Sequence, residues 1–181
     1  MDVVVRLLSE DDAPALARLL ADNREHLAPW DALRPDEYAT VDFQRAEAAR
    51  TLERYRQGAV WPGVVVLDGD PVGRVNVNTI VRGAFQSGDL GYWLARSATG
   101  RGVATAAVAA VVRTAFGALS LHRLQAATLL HNTASQRVLE HNGFARIGMA
   151  PRYLRIAGRW QDHVLFQLLD DDRVDRAPDL R

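Results

Sequence analysis

The stretch WLARSATGRGVATAAVAAVV, residues Trp93 to Val112, carries the strongest structural signal in the chain. Its first residues are typical of a strand, and the Ala- and Val-rich run from Gly102 predicts a helix to Phe116. Two glycines and an arginine stand where the strand gives way to the helix. A helix N-terminus offers unpaired N–H groups and a partial positive charge, and glycine lets another group approach the backbone closely. The stretch therefore predicts an anion-binding loop for a phosphate or pyrophosphate.

This loop matches neither of two common phosphate motifs. The dinucleotide fingerprint would need glycine at position 105, where Thr105 stands, and no Gly-Lys-Ser/Thr follows. Gly100, Gly102 and Ala104 would supply clearance, while Arg101 and Thr105 can add donors. On the local pattern alone, a plain turn with a solubilising arginine is an equal interpretation.

The composition indicates an ordinary globular domain. The chain has 181 residues, of which 48% are hydrophobic and 24% charged, and its net charge is zero. That balance argues against a general nucleic-acid or membrane-surface binder. The absence of cysteine excludes disulfides, thiolate metal sites and cysteine nucleophiles. We expect a cytoplasmic protein, because no signal peptide or long apolar run is present.

The predicted elements follow the order β-α-α-β-β-β-α-β-α-β-β, which favours a mixed α+β sheet in one layered domain. Ser9 to Asp12 form a capping signal for the first helix, and residues 23–40 predict a loop or short helix. One strand is predicted from Leu90 to Ala95. We expect the domain to span residues 1–169 and a charged C-terminal tail to occupy 170–181.

Four segments, in the order in which the family has them, resemble the GNAT superfamily of N-acetyltransferases, and within it the RimJ/RimL group. The acetyl-CoA loop of that group reads Gln/Arg-x-x-Gly-x-Gly/Ala, which residues 99–104 match except at Thr99. The upstream segment NTIVRGAFQSGDLGYWL, the downstream HNTASQRVLEHNGF and the closing GRWQDHVLF also fit. The resemblance covers about residues 3–169 and is nearest to the ribosomal-protein-alanine acetyltransferases.

The resemblance implies a mostly antiparallel central sheet that splays between its fourth and fifth strands and holds the pantetheine arm of acetyl-CoA. The backbone N–H of Leu94 would polarise the thioester carbonyl. Expected coenzyme contacts are Trp93, Leu94, Gly100, Arg101, Gly102, Val103, Ala104, Thr105, Asn132 and Arg137. For Arg137, a plain surface charge is the equal alternative. No metal is expected, since His122, His131 and His141 lack ligand spacing.

The departing thiol has a pKa near 8.5, so a nearby proton donor helps its release. Many superfamily members place a tyrosine on the helix after the next strand, and this chain has none there. The resemblance gives that role to Ser135, with Asn132 binding the pantetheine or ordering a water. The alternative is that Asn132 is a helix N-cap and Ser135 a solvated first-turn residue.

Asp89 is the first candidate for the general base, holding the attacking amine directly or through water. The alternative is that it caps a turn formed by Ser87, Gly88 and Asp89. Asp162 is the second candidate and could instead pair with Arg155 or Arg159.

The fraction of an amine that is neutral at pH 7 indicates which kind of amine the enzyme can acetylate. An α-amine has a pKa near 8 and a lysine amine one near 10.4, so at pH 7 roughly a tenth of the former and about 0.04% of the latter is neutral. That gap corresponds to roughly 3.3 kcal/mol. Many relatives carry glutamate where Ala106 stands, so this chain offers a weak base at best and favours an α-amine.

The acceptor pocket is expected from the early loop and the final hairpin, through Trp30, Tyr38, Asn78, Tyr153 and Asp162. Trp30 and Tyr38 could instead form a satellite hydrophobic cluster. The expected function is acetyl-CoA-dependent N-acetylation of a protein N-terminal amine, such as that of a ribosomal protein, by direct attack in a ternary complex. A small-molecule N-acyltransferase and a non-catalytic CoA-binding module are the alternatives. We expect a monomer or homodimer without nucleic-acid or membrane contact.

Overall fold

The computed structural model describes residues 1–170 and contains seven strands and five α-helices within that range. The predicted tail lies, from residue 171 on, outside the described residues. None of these helices is long and apolar enough to cross a membrane. The elements are β1 (Val3–Leu7), α1 (Ala13–Asp22), α2 (Arg24–Leu27), α3 (Val41–Arg56), β2 (Trp61–Leu67), β3 (Asp70–Val81), β4 (Ser87–Leu94), α4 (Val103–Phe116), β5 (Arg123–Leu129), α5 (Thr133–His141), β6 (Ala145–Ile156) and β7 (Arg159–Leu169).

The seven strands form one sheet in the order β1-β2-β3-β4-β5-β7-β6. All neighbours are antiparallel except β4 and β5, which are parallel. That parallel pair runs only from Ser87 opposite Arg123 to Asp89 opposite Gln125. Beyond Asp89 the two strands separate, which confirms the predicted splay between the fourth and fifth strands.

Alternation of side chains along the strands produces a core on each face of the sheet. On one face Val75, Val77 and Leu94 pack with the Ala/Val face of α4 in the main core. On the other face Val64 packs with Leu16 of α1 and Ala48 of α3. The result is a three-layer α/β arrangement that confirms the mixed fold class.

Local signals explain most element boundaries. Ser9 and Asp12 form the predicted capping box. β2 and β3 are joined by Asp68 and Gly69, whose φ angles of 51° and 98° suit a two-residue hairpin turn.

The bounds of β4 correct a prediction, since the strand begins at Ser87 and not at Leu90. Ser87, Gly88 and Asp89 are extended because β3 and β5 pair with them from both sides, so Asp89 caps no turn there.

Candidate active site

A cleft of about 550 Å³ opens where β4 and β5 separate. Its walls come from the end of α2, from β4, from the loop between β4 and α4, and from the first turns of α4 and α5. All the predicted coenzyme contacts line it except Arg101, which is exposed and lies outside the lining. The structure therefore brings the glycine loop and the Asn132–Ser135 segment to one site.

The start of α4 forms a cradle of free backbone donors. Gly102 is the N-cap, with φ of 77°, and no side chain caps the helix. Gly100 also has positive φ, and a Cβ added at either glycine would meet no protein atom within 4 Å. The first N–H groups of a helix lack intrahelical acceptors. Those of Val103, Ala104 and Thr105 therefore have no acceptor within α4, and because all three residues line the cleft at the positive end of the helix they suit a phosphate or diphosphate.

The inner edge of β4 offers further backbone donors. Ala95 N–H donates to the Val72 carbonyl at 2.8 Å, and Leu94 stands opposite Gly73 in the β3–β4 ladder. Because antiparallel pairs alternate between bonded and non-bonded, Leu94 and Gly73 form a non-bonded pair. The N–H groups of Leu94 and Tyr92 are therefore directed away from β3 and towards the gap that β5 leaves.

Trp93 contributes to both sides of this strand. It is part of the cleft lining, while its side chain packs against the cluster of Leu16, Ala48 and Val64 on the other face of the sheet. The residue thus ties the cleft wall to α1 and α3.

Asn132 and Ser135 stand at the first turn of α5. Asn132 Oδ1 accepts the Ser135 N–H at 3.1 Å, so its carbonyl oxygen serves as the N-cap and only its Nδ2 remains as a donor. Ser135 Oγ lies 2.7 Å from the hydroxyl of Tyr92 on β4. Burial raises the pKa of Tyr92 to about 12, an effect that the contact with Ser135 opposes. Tyr92 was not predicted as a site residue, because the tyrosine of many superfamily members was expected on α5 and not on β4.

Three polar side chains stand together where the pairing of β4 and β5 ends, outside the residues that line the cleft. Asp89 stands opposite Asn78 on β3 and Gln125 on β5. Gln125 Nε2 donates to Asp89 Oδ1 at 3.4 Å. Gly91, next along this face, carries no side chain to cover them, and a Cβ there would meet only the Asn78 amide at 3.4 Å. Asn78 and Asp89 were predicted separately, and Gln125 was not singled out.

The predicted acceptor residues fall into separate places. Trp30 lines the cleft, and its ring lies 5.4 Å from that of His131. Tyr38 lies outside the cleft, in a second cavity of about 210 Å³, where it contacts Phe43 edge-on and sits 4.7 Å below the guanidinium of Arg34. Burial raises the pKa of Tyr38 above its ordinary value. Its position corresponds to the satellite cluster that was the alternative.

The final hairpin borders a third cavity. Asp162 lines this cavity of about 320 Å³ together with His131 and Trp160. Asp162 Oδ1 accepts the Arg152 N–H at 2.8 Å, and among residues 1–170 it forms no ion pair with an arginine. Tyr153 on β6 stacks obliquely on His163 at 5.7 Å. His131 thus separates the main cleft, at Trp30, from the cavity of the hairpin.

The part of the chain that the structure describes contains no group of three or more His, Asp or Glu side chains arranged to hold a metal ion.

Comparison with known proteins shows the family to which the chain belongs. Residues 2–145 match the model of the acetyltransferase (GNAT) domain. The chain is 35% identical over 172 residues to the probable N-acetyltransferase YjcK of Bacillus subtilis, a match that covers 94% of this chain and 95% of the relative. It is 34% identical over 172 residues to the [ribosomal protein uS5]-alanine N-acetyltransferase of Escherichia coli, covering 94% and 89%.

A solved structure extends the comparison to the coenzyme. RimJ of Mycobacterium smegmatis in complex with CoA-disulfide superposes with a TM-score of 0.90 at 33% identity, covering 97% of this chain and 85% of that one. The chain therefore belongs to the GNAT family of acetyltransferases. It is an acyltransferase of the RimJ/RimL type, with acetyl-CoA as its co-substrate.

Proposed function

We propose that this protein acetylates the N-terminal α-amine of a protein or peptide by direct attack within a ternary complex. The observation that supports the proposal is the convergence of Asp89, Asn78 and Gln125 at the point where the pairing of β4 and β5 ends. The similar protein of Escherichia coli is named as an N-acetyltransferase for the alanine of a ribosomal protein, and this name supports the same class of acceptor.

The residues of the cleft fit the coenzyme. Acetyl-CoA, when bound, supplies an acetyl group activated as a thioester. The N–H groups of residues 103–105 would hold its diphosphate, and Arg137, which lines the cleft, would add positive charge. The N–H of Leu94, directed into the gap, would stabilise the oxygen that gains negative charge during attack.

Ser135 and Asn132 would act on the departing sulfur. Ser135 Oγ, on the first turn of α5, would donate a hydrogen bond to the sulfur as it gains charge. Asn132 Oδ1 is committed to the helix cap, so its Nδ2 is the atom that would contact the pantetheine. The proton that the thiol finally gains is the one that the attacking amine loses.

Asp89 would receive that proton from the amine, directly or through a water. The site offers a single half-buried carboxylate beside two amides, and carboxylates in general are weaker bases than amines. A weak base suffices for an amine of pKa near 8 and serves poorly for one near 10.4. The site therefore suits an α-amine better than a lysine side chain.

The residues that follow the acceptor's N-terminus would pass between the early loop and the final hairpin. Ala157 N–H donates to the Asp31 carbonyl at 2.9 Å, which joins these two segments. Trp30, Tyr153 and Asp162 are the side chains that we place along this path, whereas Tyr38 would support the loop from below. The cytoplasmic location, the oligomeric state and the domain boundary at residue 169 stay predictions.

A panel of acceptors tests the proposal. It contains an Ala-initiated peptide without lysine, an N-blocked peptide with one lysine, free alanine and an amine-bearing antibiotic, each assayed by thiol release from acetyl-CoA. The Ala-initiated peptide is expected to be turned over fastest. Fastest turnover of a small amine would instead assign a small-molecule acyltransferase. Coenzyme binding without turnover of any acceptor would indicate a binding module.

A further inference from the structure

A tyrosine that the proposed chemistry does not yet use stands directly against Ser135. The hydroxyl of Tyr92 lies 2.7 Å from Ser135 Oγ and 3.2 Å from the Ser135 carbonyl oxygen. Tyr92 extends from β4, and Ser135 lies on the first turn of α5, 43 residues further along the chain. Both residues line the cleft. The contact therefore joins the two walls between which the coenzyme arm would run.

The direction of this hydrogen bond decides whether Ser135 has a proton to offer. A phenol has one proton and so has a serine hydroxyl. If Tyr92 donates to the backbone carbonyl, Ser135 gives its own proton to the phenol oxygen. If Tyr92 donates to Ser135 Oγ, the serine proton is left for another acceptor.

The surroundings of Tyr92 keep its phenol protonated. Its ring packs against the main core, and burial raises the pKa of Tyr92 to about 12, so the phenol stays protonated near neutral pH. A sulfur that gains negative charge attracts the serine proton, and chained hydrogen bonds strengthen one another. The 2.7 Å between the two hydroxyl oxygens suits donation in either direction, and negative charge on the sulfur favours the one in which Tyr92 donates and the serine proton is free.

We propose that Tyr92 is a positioning residue that donates to Ser135 Oγ and so directs the serine proton into the cleft, towards the departing sulfur. The inference rests on the role of Ser135 in the proposed function. Tyr92 keeps its own proton throughout, and no covalent bond to it forms or breaks.

Four variants test this role: Tyr92→Phe, Ser135→Ala, the double variant, and Tyr55→Phe as a matched loss of a phenol hydroxyl on α3. Turnover is measured by thiol release from acetyl-CoA, with the fastest acceptor of the panel and with water alone as acceptor. Tyr92→Phe should lower kcat about tenfold while the KM for acetyl-CoA changes by less than about twofold. Tyr55→Phe should behave as the wild type.

The double variant separates positioning from an independent effect. If Tyr92 acts only through Ser135, the double variant should be no more than about twofold slower than Ser135→Ala. If the losses in kcat of the two single variants multiply in the double variant, the inference is overturned, because Tyr92 then acts independently of Ser135. A kcat of Tyr92→Phe equal to that of Tyr55→Phe would also overturn it while leaving the role of Ser135 intact. Full activity of Ser135→Ala would overturn both that role and the inference.

The affinity of each variant for CoA provides a second readout. Calorimetry should give the same affinity for the wild type and for Tyr92→Phe, since the phenol hydroxyl is engaged with Ser135. A loss of affinity as large as the loss in kcat would show that the hydroxyl shapes the binding cleft, and would contradict the positioning role.

Discussion

Gln125 Nε2 donates to Asp89 Oδ1 at 3.4 Å in the last residue pair before β4 and β5 separate. Within residues 1–170, Gln125 is the one side chain that hydrogen-bonds to this carboxylate. Asp89 is therefore oriented by one neighbour and keeps acceptor capacity for an incoming amine. Its position where β4 and β5 separate makes it the group whose removal should change catalysis most clearly.

Replacing Asp89 by Asn should lower kcat/KM for the acceptor about 10–100-fold at pH 7, since a general base typically contributes at least this much. The loss should shrink at pH 9.5, where an α-amine is already neutral. Steady-state rates at both pH values check this. Asp70→Asn, at the exposed hairpin turn between β2 and β3, is the matched control and should leave both rates unchanged. An equal loss at both pH values would assign Asp89 a structural role.

The pH profile of the wild-type enzyme should rise and level off near the pKa of the acceptor amine, about 8 for an N-terminus. Because burial raises the pKa of Tyr92 to about 12, loss of its proton should not lower the rate between pH 8 and 10. Initial rates with the Ala-initiated peptide across this range check the prediction. A fall in rate above pH 9 that disappears in Tyr92→Phe would contradict it.

Gly102→Ala should weaken binding of CoA about tenfold, as expected for the loss of about one charge-assisted hydrogen bond. The residue has φ of 77°, a conformation that alanine adopts only with strain, and its N–H neighbours form the cradle at α4. Gly58→Ala is the matched control, because Gly58 has φ of 73° after α3 and a Cβ there also meets nothing within 4 Å.

The free energy of unfolding should fall by a similar amount in both glycine variants. Calorimetry with CoA should detect weaker binding for Gly102→Ala alone. Equal affinity of the two variants would show that the anion is held elsewhere.

Asp12→Asn should lower the free energy of unfolding by about 2 kcal/mol at pH 7, a loss typical of hydrogen bonds to a buried charge. Asp12 is only 5% exposed and accepts two hydrogen bonds from Arg6, at 2.6 and 2.8 Å, and one from Ser9 N–H at 2.8 Å. Burial alone would raise the pKa of Asp12, but these hydrogen bonds and the charges of Arg6 and Arg74 outweigh it and lower the pKa.

A carboxyl whose folded-state pKa is lowered stabilises the fold above its unfolded pKa, about 3.9, and loses that contribution as pH falls through the folded value. Urea unfolding at pH 7 and pH 3 should therefore show a smaller gap between the wild type and Asp12→Asn at pH 3. Glu53→Gln, which breaks the exposed pair with Arg56, is the control and should hardly change the midpoint. A gap that does not depend on pH would assign the loss to packing.

The loop and α4 could be predicted from the sequence because their determinants are local. Small apolar residues at helical spacing specify α4, and the glycine before it supplies the positive φ that the N-cap adopts. The residues around Asp89 could not be placed in the same way. Their meeting depends on the register of β3 against β4, which shifts between Asn78 and Val81, and on a parallel pairing of only three residue pairs.

The contact of Tyr92 with α5 could not be predicted from the sequence either. Strand alternation places its ring on the α4 face, but nothing within β4 indicates that the first turn of α5 packs over it. The start of β4 was predicted three residues late, because Ser87 and Gly88 suggest a turn when the partner strands are unknown. Long-range pairing, not local preference, decides both features.

A direct competition tests whether the acceptor is an N-terminal α-amine. An Ala-initiated peptide without lysine and an N-blocked peptide with one lysine are mixed at equal concentration with acetyl-CoA and the enzyme at pH 7.5, and the acetylated products are counted by mass spectrometry. We expect acetylation of the Ala-initiated peptide at its N-terminus to predominate, because a far larger fraction of that amine is neutral. Predominant acetylation of the lysine peptide would contradict the account.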